Sequence, residues 1–200
     1  EWYVADSASI ALGILATAVR CTDQADRDRY LNSVKAYANL VIEKYVGPKG
    51  GITDGLWSKF DGEWWCSSGI FASLAFLLYD QTGDERYQKA ALGAVDWLNQ
   101  LEVRKAQHIS FEEAAPTVIM YVYEAYSTAL PRLQPGSDRH KGALAQLKVA
   151  LDWMAENQAG RGKATWKYTT QWGSKLGGLP FQFALAVSAA AGRFSQASFR

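Results

Sequence analysis

One pattern of helix-spaced apolar residues returns along this chain at intervals of just over fifty residues. "SASIALGILATAV" (7–19) sets Ile10, Leu12, Ile14, Leu15 and Val19 among small residues, the pattern of a helix packed on most sides. "RDRYLNSVKAYANLVIEKYV" (27–46) puts Tyr30, Val34, Tyr37, Leu40, Val41 and Tyr45 on one stripe and its charges on the other. The alternation returns in 67–83, apolar nearly all round, with 84–102, amphipathic, and again in 111–130 with 138–158. A stretch at 179–193 begins a fourth unit of the apolar kind. The amphipathic members open alike, with Arg29-Tyr30, Arg86-Tyr87 and Arg139-His140, in steps of 57 and 53 residues.

A buried helix followed by an amphipathic one is a hairpin, and hairpins repeated in tandem share a core by stacking in two layers. No alternating, β-branched segment long enough for a sheet interrupts them. The expectation is therefore an all-α, α/α toroid-like arrangement in one domain over 1–200, with apolar helices inside and amphipathic helices outside. About three and a half hairpins are present, so the chain reads as an open or incomplete ring, or a piece of a larger one.

Composition narrows the function. Twenty-one basic and twenty acidic side chains nearly cancel, and no Lys/Arg-rich run tracks a phosphate backbone, so no nucleic-acid partner is expected. No apolar stretch reaches the roughly 20 residues of a membrane span. Cys21 and Cys66 have neither metal-knuckle spacing nor the number of a disulfide scaffold, and read as buried free thiols. There is no H-E-x-x-H, C-x-x-C or Gly-rich phosphate loop, and no metal or cofactor is expected. A Ser-His-Asp arrangement of Ser67 or Ser68 with His108 lacks a nucleophile-elbow sequence. The compartment cannot be read from a chain that opens Glu1-Trp2-Tyr3.

If the hairpins turn about one axis, every inner helix begins at the same end, where the outer-to-inner connections gather. These connections carry Trp2, Trp57, Trp64, Trp65, Trp166 and Trp172, six of the eight tryptophans, with Asp6, Asp54, Asp61, Glu63, His108, Glu112 and Glu113. Trp97 and Trp153 fall on outer helices and read as structural. Aromatic faces stack on sugar rings, and carboxylates bond hydroxyls and provide the acid and base of glycoside chemistry. An oligosaccharide or polysaccharide therefore fits this mouth best. Candidate catalytic residues are Asp6, Glu63, Glu112 and Glu113; candidate substrate-binding residues are Trp2, Trp57, Asp61, Trp64, Trp65, His108, Trp166 and Trp172. Plainer roles exist too: Asp6 with Ser7, Asp84 and Asp138 as helix caps, Glu112 and Glu113 as first-turn residues, Asp54 and Asp61 in turns before glycine.

"YVADSASIALGILATAVRCTDQADRDRYLNSVKAYA" and "GLWSKFDGEWWCSSGIFASLAFLLYDQTGDERYQKAALGAVDWL" resemble the six-hairpin glycosidases, with "TGDERY" and "AVDWL" similar to their outer-helix start. The superfamily includes unsaturated glucuronyl and rhamnogalacturonyl hydrolases and α-1,6-mannanases. The resemblance implies an (α/α)6 toroid and glycoside hydrolysis. In those families an acidic pair or single aspartate stands at an inner-helix start after an aromatic; the matching position here is Asp6, followed by serine. The resulting expectation is a glycoside hydrolase, with a non-catalytic helical-repeat module binding glycan or protein as the alternative. A third class, a terpenoid-cyclase-like toroid, is disfavoured by the polar mouth. The apolar stretch 179–194 is expected to pack on another copy or on further sequence.

Overall fold

The computed structural model describes residues 3–54, 62–101, 121 and 124–159, the last ten of these through their backbone only. Helix α1 (Val4–Arg20) pairs with α2 (Gln24–Lys44), and α3 (Trp65–Thr82) with α4 (Glu85–Asn99). A fifth helix, α5, is described over 124–129 and runs into a 3-10 turn at Leu130–Arg132; α6 follows over Asp138–Ala159. The inner helices α1 and α3 pack on each other, and the outer helices α4 and α6 pack side by side. Among the described residues the fold is all-helical, an α/α toroid-like arrangement of hairpins as the repeat predicts. Isolated bridges, Val46 with Ile52 and Thr53 with Glu63, are the only extended pairings described.

Sequence explains where each helix starts and stops. Asp23 caps α2 by accepting from the Asp26 N–H, and Asp84 caps α4 by accepting from the Arg86 N–H. At α6 the capping oxygen is the Ser137 hydroxyl, which accepts from the His140 N–H; Asp138 is the first helical residue and not the cap. Gly83 ends α3 at φ +68°, a left-handed position that suits glycine, and lets α4 begin at once.

α3 is the central inner helix. Its residues from Trp65 through Phe76 are all buried, with Leu78 beyond. Gly69 lets α5 approach: a Cβ there would stand 2.7 Å from the Tyr121 carbonyl oxygen. The outer helix α4 buries Tyr87, Ala91, Ala94, Val95, Trp97 and Leu98 along one side, and α2 buries Val34, Ala38 and Val41. Leu40, expected on the buried stripe of α2, is 43% exposed, since at 100° per residue it falls on the far side from Val34, Val41 and Tyr45. α1 corrects the reading more. Its buried side is Val4, Ala5, Ala8, Ala11, Leu15 and Ala18, while Ile10 and Val19 are 66% and 47% exposed. Alanines let α2 and α3 sit close on that side, and no described element covers the other.

The repeated Arg-aromatic openings do different work. Arg86 grips its own cap Asp84, whereas Arg139 reaches across to Asp96 on α4 with a bidentate pair, Nη2 to Oδ2 at 2.6 Å. Tyr87, buried, donates its hydroxyl to Asn39 on α2 at 3.0 Å. The Arg139–Asp96 and Tyr87–Asn39 contacts join the outer layer from hairpin to hairpin. Both cysteines are free; Cys66 is buried and Cys21 half-buried. No described helix is long and apolar enough to cross a membrane. The stretch 179–194 lies outside the described residues.

Candidate active site

The inner helices α1 and α3 begin side by side, and the connection after α2 is clamped between them. Trp64 donates its backbone N–H to the Ile52 carbonyl at 2.8 Å, and the Ser68 hydroxyl accepts from the Ile52 N–H at 2.8 Å. Gly47, Gly50 and Gly51 make the turn within that connection, with Gly50 at φ +91°. Gly51 lies flat on Trp97, where a Cβ would stand 2.6 Å from the ring, which gives that buried tryptophan its structural task.

Asp6 stands in the first turn of α1, exposed, and makes no hydrogen bond among the described residues. The N-cap is Tyr3, so Asp6 faces outward three residues into the helix instead of capping it. Asp54, by contrast, is only 2% exposed. Its Oδ1 accepts from the Ser67 hydroxyl at 3.2 Å, and the Tyr3 hydroxyl bonds it as well. The Tyr3 oxygen also accepts from the Trp64 indole N–H at 3.2 Å. Trp64, Tyr3, Asp54 and Ser67 thus form one hydrogen-bonded chain across the two helix starts. Burial pushes the Asp54 carboxyl up to about 6; the Ser67 and Tyr3 bonds partly offset this, and the charge of Asp6 adds to it. Cys66 and Tyr121 adjoin the same group, and burial raises both.

The remaining candidates divide clearly. Glu63 is committed to its own loop: its Oε1 accepts from the Lys49 N–H at 2.7 Å, and its side chain lies against Gly47. Trp64 and Trp65 are 6% and 4% exposed, their ring centroids 5.0 Å apart, so both belong to the core at the start of α3 and are not exposed stacking faces. The Trp65 indole N–H is buried with no acceptor among the described residues. Ser67 and Ser68 are buried with their hydroxyls engaged, Ser67 on the Asp54 carboxyl and not on an imidazole. Trp2, Trp57, Asp61, His108, Glu112, Glu113, Trp166 and Trp172 lie outside the described residues. No group of three potential metal ligands comes together among the described residues.

Sequence reasoning left Asp54 out of the catalytic candidates, because Asp-Gly reads as a turn. The signal that could have found it is the pair of serines after Trp64-Trp65, hydroxyls on an otherwise apolar helix start that need polar partners.

Tandem helical hairpins in two layers are an α/α toroid-like architecture, the fold class of the six-hairpin glycosidases. The model of glycosyl hydrolase family 76 matches residues 3–117, more than half of the chain, and the chain belongs to that family. No curated protein and no solved structure gives a significant match.

Proposed function

We propose that the chain hydrolyses an oligosaccharide or polysaccharide bound at the mouth where the inner helices begin, with Asp6 as acid or base. The observation that carries this reading is the exposed Asp6 carboxylate beside the buried Asp54, in a chain of a glycoside hydrolase family. A glycosidase needs two carboxyls. Glu112 or Glu113, at the sequence-predicted start of the third inner helix, is the proposed second one; Glu63 is a weaker candidate because its oxygen is taken. Trp2, Trp57, Asp61, His108, Trp166 and Trp172 are proposed to line the bound sugar. Trp64 and Trp65 back this surface from the core. Two carboxyls about 5 Å apart would give retention of configuration, and roughly 6.5 to 9.5 Å would give inversion.

Turnover of unsaturated uronides and of mannans by wild type and Asp6→Asn tests the proposal. The expected result is hydrolysis of one of them by wild type and its loss in Asp6→Asn; full activity of the variant removes Asp6 from the chemistry. The engagement of Glu63, which removes one candidate carboxyl, favours a second reading, a non-catalytic helical-repeat module that binds glycan or protein. Turnover of any glycan ends it.

A further inference from the structure

The first turn of α1 is held from several sides, and most of the bonds meet at one residue. The Val4 N–H donates to the Asp54 carbonyl at 3.2 Å, and the Tyr3 hydroxyl bonds the Asp54 carboxyl. The same carboxyl accepts from Ser67 on α3 at 3.2 Å. We infer that Asp54 is a positioning residue, fixing Asp6 through the first turn of α1 against the start of α3. The inference rests on the reading of Asp6 as the acid or base.

A joint of this kind could be made with asparagine, which offers the same acceptor without a charge to bury. A carboxyl buried here has a further consequence. The titratable groups that face it are Tyr3 and Asp6 from the start of α1 and Cys66 from α3, with Tyr121 reaching Asp6 and Cys66 from the α5 side; none is a cation. With burial as the main cause, Asp54 keeps its proton up to about pH 6. Below that pH Asp54 adds no charge next to Asp6. Above it a second negative charge develops next to Asp6 with no described cation to balance it. Asp54 therefore sets both the place and the electrostatic surroundings of Asp6.

The sign of the effect on stability follows from proton counting. An ordinary aspartate, as in the unfolded chain, loses its proton near pH 4, whereas the folded chain keeps it to about 6. The native state binds more protons over that interval, so stability falls as pH rises from about 4 to about 6 and levels off above.

Two measurements on the full chain test the inference: thermal unfolding from pH 4 to 8 for wild type, Asp54→Asn and Ser67→Ala, and kcat/KM against pH on the glycan that wild type hydrolyses. Wild type is expected to lose Tm between about pH 4 and 6, and Asp54→Asn to show no such decline. Ser67→Ala, which loses a donor to the ionised form, is expected to continue its decline above pH 6, and it keeps the test in force if Asp54→Asn does not fold. The wild-type kcat/KM profile is expected to bend near pH 6 and the Asp54→Asn profile to lack that bend. Equal pH dependence of Tm in all three proteins overturns the inference, as does an Asp54→Asn activity profile that superimposes on wild type while Asp6→Asn is inactive. Full activity of Asp6→Asn would instead overturn the reading of Asp6, with the Tm profiles still deciding the state of Asp54.

Discussion

The two inner helices α1 and α3 look alike in sequence and differ in their surroundings. Both are rich in apolar and small residues, both begin after an aromatic N-cap without a side-chain capping bond, and both start at the mouth. Yet α3 is buried on every side from Trp65 to Phe76, whereas α1 buries a single face made largely of alanine. α3 packs on α1, α4 and the α5 side, while α1 packs chiefly on α2 and α3, with Tyr121 of the α5 side bonding its Ser9. Being an inner helix is thus a property of what stands around it as much as of its own composition. The same difference appears at the helix starts, where α3 is buried and α1 carries the exposed Asp6 carboxylate.

The largest effect that separates the two is a deleted core ring. Phe71 on α3 is fully buried, so Phe71→Ala is expected to cost about 3–5 kcal/mol in urea unfolding. A cost below about 1 kcal/mol would mean that α3 is not the centre of the core.

The glycines give the next contrast, and here the two helices are expected to respond with opposite sign. Gly69→Ala on α3 drives a methyl toward the Tyr121 carbonyl and is expected to destabilise by about 1–3 kcal/mol. Gly13→Ala on α1 meets nothing within 4 Å and is expected to stabilise by about 0.5–1 kcal/mol through helix propensity. The same sign for both substitutions in denaturant titrations would break the comparison.

A finer test lies within the tryptophan pair. Trp64 and Trp65 are similarly buried, but the Trp64 N–H has the Tyr3 hydroxyl as acceptor and the Trp65 N–H has none among the described residues. Replacing each with phenylalanine removes comparable volume, and only Trp64→Phe leaves a buried oxygen short of a donor. Trp64→Phe is therefore expected to be the more destabilising by about 1 kcal/mol, read as a difference of two unfolding midpoints. The reverse order would mean that Trp65 has an acceptor in solution.

Much of this was legible in the sequence because repetition and period act locally. The alternation of all-round and one-sided apolar patterns was enough to assign inner and outer helices. The cap signal at Asp84 and the stretch ending at Gly83 placed the start of α4 and the end of α3, whereas α2 starts at Gln24, behind the cap Asp23, three residues before the stretch read from 27. The site was less legible, for a physical reason. Whether a carboxylate serves chemistry or architecture depends on partners far along the chain: Glu63 is taken by Lys49, and Asp54 is buried by residues from 3 to 67. The tryptophans show the same limit, since loop position suggested exposure for Trp64 and Trp65, and packing against α1 and the following connection put them inside. The exposed Ile10 and Val19 were missed because a period-based reading counts apolar residues without knowing how many neighbours a helix has.

The smallest effect is expected on the outward face of α1. Ile10 and Val19 stand 66% and 47% exposed, so little apolar area leaves water there on folding, and Ile10→Ser with Val19→Ser should change stability by no more than about 0.5 kcal/mol. That expectation holds for the face as described. The proposal that the apolar stretch 179–194 packs on another copy or on further sequence makes a different one, because an inner-type helix seated on α1 would cover both residues. A loss of 1 kcal/mol or more in the double variant would then show that this face is occupied. Light scattering separates the two occupants: a wild-type dimer that the double variant turns into monomers identifies a second copy, and a monomer destabilised by the substitutions identifies a segment of the same chain. No change in either measurement leaves α1 an edge of the arc, and α3 the one inner helix in this comparison whose burial is complete.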